Sequence, residues 1–127
     1  MRTFMTTGLA AIALASPSLA QDQNPLAGTW RQEDGKVTIR MANCTASRDL
    51  CATVIGEKPD LSEPRRLGKV IVSDIKSAGT GRWTGLFTDQ GATFNAKIRQ
   101  TAPGTVSFKI CAFAFLCDTK RFDRIKP

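Results

Sequence analysis

The stretch from Gly28 to Met41 limits the folds open to this chain more than any other. Trp30 follows two residues after Gly28. An Asp34-Gly35 pair comes next, and then Val37, Ile39 and Met41 alternate with Thr38 and Arg40. Asp-Gly between two such runs is a strong hairpin signal, because both central positions of the tightest hairpin turn need φ above zero. Later strands can build on this hairpin, with Trp30 as the plug for whatever core they enclose.

The rest of the chain supplies those strands. Period-2 alternation is clearest where Ala92, Phe94, Ala96 and Ile98 interleave with Thr93, Asn95, Lys97 and Arg99. Val106, Phe108 and Ile110 repeat the pattern, and Trp83, Gly85 and Phe87 share one face. The pattern predicts strands over Gly28–Glu33, Lys36–Met41, Leu50–Ile55, Gly68–Ile75, Arg82–Thr88, Ala92–Arg99, Thr105–Cys111 and from Cys117 to about Arg124. Glu57 to Arg66 holds Pro59, Pro64 and six charges, which exclude a central strand. No convincing amphipathic helix is present. One apolar face per strand argues for sheets covered on one side only. The expected fold is all-β, an eight-stranded antiparallel up-and-down barrel, which removes exposed edges. A two-sheet sandwich is the alternative.

The first twenty residues read differently. Met1-Arg2 is a short basic start, Phe4 to Ala15 is mostly apolar, and Ser18-Leu19-Ala20 offers small residues for cleavage. This is the pattern of a secretory signal peptide cut near Ala20, leaving one domain from Gln21 to Pro127. The apolar run is too short to span a bilayer, and no later transmembrane segment is expected. The expected location is the periplasm or the extracellular medium. Net charge is +7 over the whole chain and +6 without Arg2. The charges are scattered along the sequence, which serves solubility or favours anionic partners such as lipid head groups, cell-wall polymers or acidic proteins. Nucleic acid is not an expected partner, because no basic run with interleaved aromatics is present.

Cys44, Cys51, Cys111 and Cys117 all follow the cleavage site. An even count after a signal peptide implies disulfides. Of three connectivities, the local pairs Cys44–Cys51 and Cys111–Cys117 are preferred, each stapling the base of a tight loop. A zinc site is disfavoured, since there is no histidine and no C-x-x-C spacing.

Two resemblances follow. Gly28-Thr29-Trp30 resembles the opening signature of lipocalins and other calycin barrels. There the tryptophan closes one end of the barrel and an arginine from the last strand packs across it. The resemblance implies that role for Arg124, with Arg121 as the other choice, and a structural role for Gly28.

A closer resemblance, to the bacterial domain of unknown function 2147, covers nearly the whole mature chain. It rests on Gly28-Thr29-Trp30, Asp34-Gly35-Lys36, the Cys44 to Cys51 loop, Lys58-Pro59-Asp60 with Arg65-Arg66, and Leu67-Gly68. Trp83-Thr84-Gly85, Thr88-Asp89-Gln90-Gly91 and Thr119-Lys120-Arg121-Phe122-Asp123-Arg124 complete the series. This chain departs from the pattern in having no tyrosine, Phe122 in place of a tryptophan, and no asparagine before Pro59. The resemblance implies an exported lipocalin-like barrel and carries no established activity.

Catalytic chemistry is poorly represented. Without histidine the usual general base, metal ligand and pH switch are missing. Ser73-Asp74-Ile75-Lys76 matches Ser-x-x-Lys, but on a strand those two side chains are expected on opposite faces. Asp34 and Asp89 sit in turns, which already explains them. No enzyme, cofactor or metal is therefore expected. Two binding roles remain.

An eight-stranded barrel can fill itself or hold one small ligand. Val37, Ile39, Val54, Phe87, Phe94, Ile98, Phe108 and Ile110 are the inward candidates, and Phe87, Phe94 and Phe108 are those expected to meet a lipophilic ligand. Arg65 or Arg66 at the rim would receive a carboxylate or phosphate. The other role is a module that binds an exported protein, in the manner of protease or lysozyme inhibitors. Phe113 and Phe115, in the all-apolar Cys111–Cys117 loop, would be its contacts, or a membrane contact, if exposed, and a cover for the open barrel end if folded inward. The sequence leaves the oligomeric state open.

Overall fold

The computed structural model describes residues 24–59, 65–113 and 115–127. The proposed signal peptide and cleavage site lie outside these residues. Eight strands follow one another: β1 (Gly28–Gln32), β2 (Val37–Asn43), β3 (Leu50–Glu57), β4 (Val70–Gly79), β5 (Arg82–Asp89), β6 (Ala92–Ala102), β7 (Thr105–Phe113) and β8 (Leu116–Lys126). Each pairs antiparallel with its neighbour in sequence, and β8 returns to β1, so the sheet closes into a barrel. Every expected strand is present, and the sandwich alternative is excluded.

The first hairpin differs in detail from its expectation. Its connection has four residues, 33–36, closed by the Gly35 amide donating to the Gln32 carbonyl at 2.7 Å. Only Gly35 takes positive φ; Asp34 instead accepts the Lys36 amide on Oδ1 at 2.8 Å. A turn with two positive φ values lies at Gln90-Gly91 instead, between Asp89 and Ala92.

Strand β4 is irregular. Asp74 has φ 52°, and the register with β5 shifts between Ser73 and Lys76. This bulge turns both Val72 and Ile75 inward although they are three residues apart. It also overturns the expectation for Ser73 and Lys76. They pair with Leu86 and Thr84, both on the outer face of β5, so they share one side.

The interior is filled at one end only. Leu26, Trp30, Met41, Leu50, Ala52, Ile75, Trp83, Ala96, Ile98 and Val106 belong to a single buried cluster. Trp30 is 1% exposed and donates its indole N–H to the Leu26 carbonyl at 2.8 Å. The Arg124 guanidinium lies 4.4 Å from the Trp30 ring centroid. It also donates to the carbonyls of Ala27, at 2.7 Å, and Pro25. Arg124 rather than Arg121 is therefore the arginine that seals the plug. Arg121 lies outside, 3.8 Å from Glu33. Gly28 is required here: at φ 131°, a Cβ would sit 2.6 Å from Arg124 Nη1 and from the Lys126 carbonyl.

Both disulfides form as expected, Cys44–Cys51 with Cα atoms 5.0 Å apart and Cys111–Cys117 with Cα atoms 4.0 Å apart. The first joins the ends of the β2–β3 loop at the plugged end. The second joins cross-strand partners beneath the β7–β8 tip at the other end.

Candidate functional site

Opposite the plug, the barrel is hollow. Ile39, Val72, Phe108 and Phe122 form the floor of a cavity of about 320 Å³, and Val37, Ile71, Phe87 and Ile110 form its walls. Phe108 and Phe122 meet edge-on with centroids 5.2 Å apart, a favoured aromatic geometry that firms the floor. Cavities that take small molecules run from about 300 to 1,000 Å³, so this one suits a short ligand.

The rim is polar, and connections supply most of it. Asp34 and Lys36 come from the β1–β2 turn, Glu57 from the end of β3, Lys58 and Arg65 from the β3–β4 loop, and Asp118 and Lys120 from β8. Lys58 donates its amide to the Lys36 carbonyl at 2.9 Å, which brings the two lysines together. Lys36, Lys58 and Arg65 are exposed and form no ion pair among the described residues. Lys120 is 3.4 Å from Asp118.

Arg66 is differently placed. Its Nε and Nη2 donate to the two carboxylate oxygens of Asp89 at 3.0 and 2.9 Å, and its amide donates to Glu57 Oε1 at 2.9 Å. The hydrogen bonds and charge of Arg66 hold the Asp89 carboxyl below its ordinary pKa, against partial burial, which works the other way. The pair ties the β3–β4 loop to the end of β5 across the cavity mouth.

Of the ligand candidates named from the sequence, Arg65, Arg66, Phe87 and Phe108 line the cavity. Phe94 does not. It lines a shallower crevice with Ala112, Phe115 and Leu116, and its ring is 6.4 Å from that of Phe87. The crevice exists because the β6–β7 ladder stops at Asn95 and Cys111, while β6 begins at Ala92 and β7 runs on to Phe113. Phe87 and Ile110 border both spaces. Phe113 and Phe115 do not fold over the opening; they are 63% and 83% exposed, with rings stacked at 6.3 Å. Sequence reasoning passed over Asp118 and Lys120, although their period-2 spacing from Phe122 places them on its inward face.

No helix among the described residues is long and apolar enough to cross a membrane. No curated protein matches the chain. Among solved structures it is similar to "Protein HP1028 from the human pathogen Helicobacter pylori belongs to the lipocalin family". That match has a TM-score of 0.59 and 16% identity over 79% of this chain and 82% of the other, a likeness of fold. The family profile described as an uncharacterized protein conserved in bacteria (DUF2147) matches residues 28–124, so closed barrel, tryptophan plug and hollow end belong to a member of the DUF2147 family.

Proposed function

We propose that this protein is an exported, non-enzymatic carrier that holds one short lipophilic ligand with an anionic head, working in the periplasm after signal-peptide removal. The observation that carries this reading is the one-ended filling of the barrel. An apolar space of about 320 Å³ opens beneath Lys36, Lys58 and Arg65, three cations with no acidic partner among the described residues. An apolar tail on Phe87, Phe108 and Ile110 with a carboxylate or phosphate at the rim satisfies both chemistries. Two disulfides fit an oxidising compartment.

The test is calorimetric titration of the mature protein with decanoate and with decanol. Decanoate binds, and the triple variant Lys36→Gln, Lys58→Gln, Arg65→Gln weakens decanoate while sparing decanol. Ile71→Trp, which fills the cavity, removes both. No heat with either probe, together with no small molecule recovered from native protein, refutes the carrier.

A second reading rests on the exposure of Phe113 and Phe115: a module that occupies an exported enzyme through the Cys111–Cys117 tip. Loss of protease or lysozyme activity on adding the pure protein supports it.

A further inference from the structure

The outer wall of β5, β6 and β7 carries charge of one sign only. Arg82, Lys97, Arg99 and Lys109 all face outward and are exposed. β6 and β7 contain no acidic residue, and the single acid of β5, Asp89, turns to the cavity mouth and is held by Arg66. None of the four cations forms an ion pair among the described residues. The register sets like charges opposite each other, Arg82 against Arg99 and Lys97 against Lys109. Such cross-strand pairs oppose folding. Cations that look scattered in the sequence are thus gathered on one wall by strand pairing.

The same wall leads to the apolar tip. β7 runs from Lys109 through the Cys111–Cys117 bridge to Phe113, and beyond it stand Phe115 and Leu116, 83% and 53% exposed. Exposed aromatics beside a basic surface match a bilayer interface: phenylalanines enter the boundary between head groups and acyl chains, and lysines and arginines meet anionic head groups. An enzyme cleft would engage the tip but has no use for a wall extending three strands away from it.

We propose that the protein docks on anionic phospholipid bilayers through this surface, with Phe113, Phe115 and Leu116 inserted and the β5–β7 wall lying against the head groups. The docking is independent of the carrier reading.

The experiment is co-sedimentation of the mature protein with vesicles of phosphatidylcholine alone or of two parts phosphatidylcholine to one part phosphatidylglycerol. Binding is expected to the mixed vesicles only and to fall as salt is raised, since screening shortens the reach of surface charge. Each wall cation removed lowers affinity by roughly fivefold, so Lys97→Gln with Lys109→Gln lowers it by about 25-fold. That variant keeps or gains thermal stability because it relieves a like-charge pair, so misfolding cannot explain the loss. Phe113→Ser with Phe115→Ser abolishes sedimentation while circular dichroism stays unchanged. The proposal is overturned by equal binding to both vesicle types, by binding insensitive to either variant, or by no vesicle binding alongside tight binding to polyglutamate. The last result would assign the wall to an acidic protein.

Discussion

Arg66 and Asp89, 23 residues apart in sequence, share two parallel N–H···O bonds across the mouth of the cavity. Both side chains are only about one-fifth exposed. The bond gives the β3–β4 loop a fixed anchor on the barrel, beside the cations of the rim.

Acid should release that anchor. Asp89 titrates below its ordinary value in the folded protein, so its contribution is complete above the unfolded carboxylate pKa of about 3.9 and is lost as pH falls through the lower folded value. Asp89→Asn should lower stability by about 1 kcal/mol at pH 7, a figure discounted for solvent exposure, and by much less near pH 2. Urea midpoints of both proteins at the two pH values check this; an unchanged gap between them would contradict it.

The plug should be the most sensitive part of the barrel. Arg124→Ala removes a cation–π contact and two hydrogen bonds to carbonyls, and should lower stability by about 2–4 kcal/mol. Gly28→Ala forces a Cβ against Arg124 and the Lys126 carbonyl and should approach the same loss, at least about 1–3 kcal/mol. Combining the two should give less than the sum, since both act through Arg124. Chemical denaturation of the two single variants and the double variant closes that cycle.

The two disulfides close loops of similar length, with separations of 7 and 6 residues. Replacing either pair with serine should therefore lower stability by a similar amount, about 2–3 kcal/mol on the chain-entropy argument. Thermal melts of Cys44→Ser/Cys51→Ser and Cys111→Ser/Cys117→Ser would test this. A loss confined to one pair would mean that local packing, rather than loop closure, sets its value.

The floor should determine ligand length. Phe108→Ala deepens the cavity and should lower stability by about 3–5 kcal/mol. If the cavity binds as proposed, saturating dodecanoate restores part of that loss by mass action, more than decanoate does. Melting temperatures with each acid, for wild type and variant, provide the comparison.

Much of this fold was legible because period-2 alternation survives in nearly every strand. Trp30, both cysteine pairs and the eight-strand order follow from local pattern. What escaped was made by pairing between distant segments. The Asp74 bulge, which places Ser73 and Lys76 on one side, has no mark in the sequence beyond an inward glycine at position 85, where a Cβ would lie 3.0 Å from Val72. Arg66 looked available for a ligand, yet Asp89 reaches it from another hairpin. Phe94 shares the alternation of Ala96 and Ile98, but it stands above the last β6–β7 pair and lines the crevice rather than the cavity. Lys97 and Lys109 look unrelated until the register sets them side by side.

Trp30, Arg124 and the Cys44–Cys51 bridge lie at one end of the barrel, and Lys36, Lys58, Arg65 and the hollow interior lie at the other. Descendants of such a molecule can swap rim loops and acquire new cargo preferences while inheriting an untouched keystone. Foreign loops grafted at the mouth would leave that keystone untouched, provided they respect the Arg66–Asp89 pair and the Cys111–Cys117 bridge, which brace the same end.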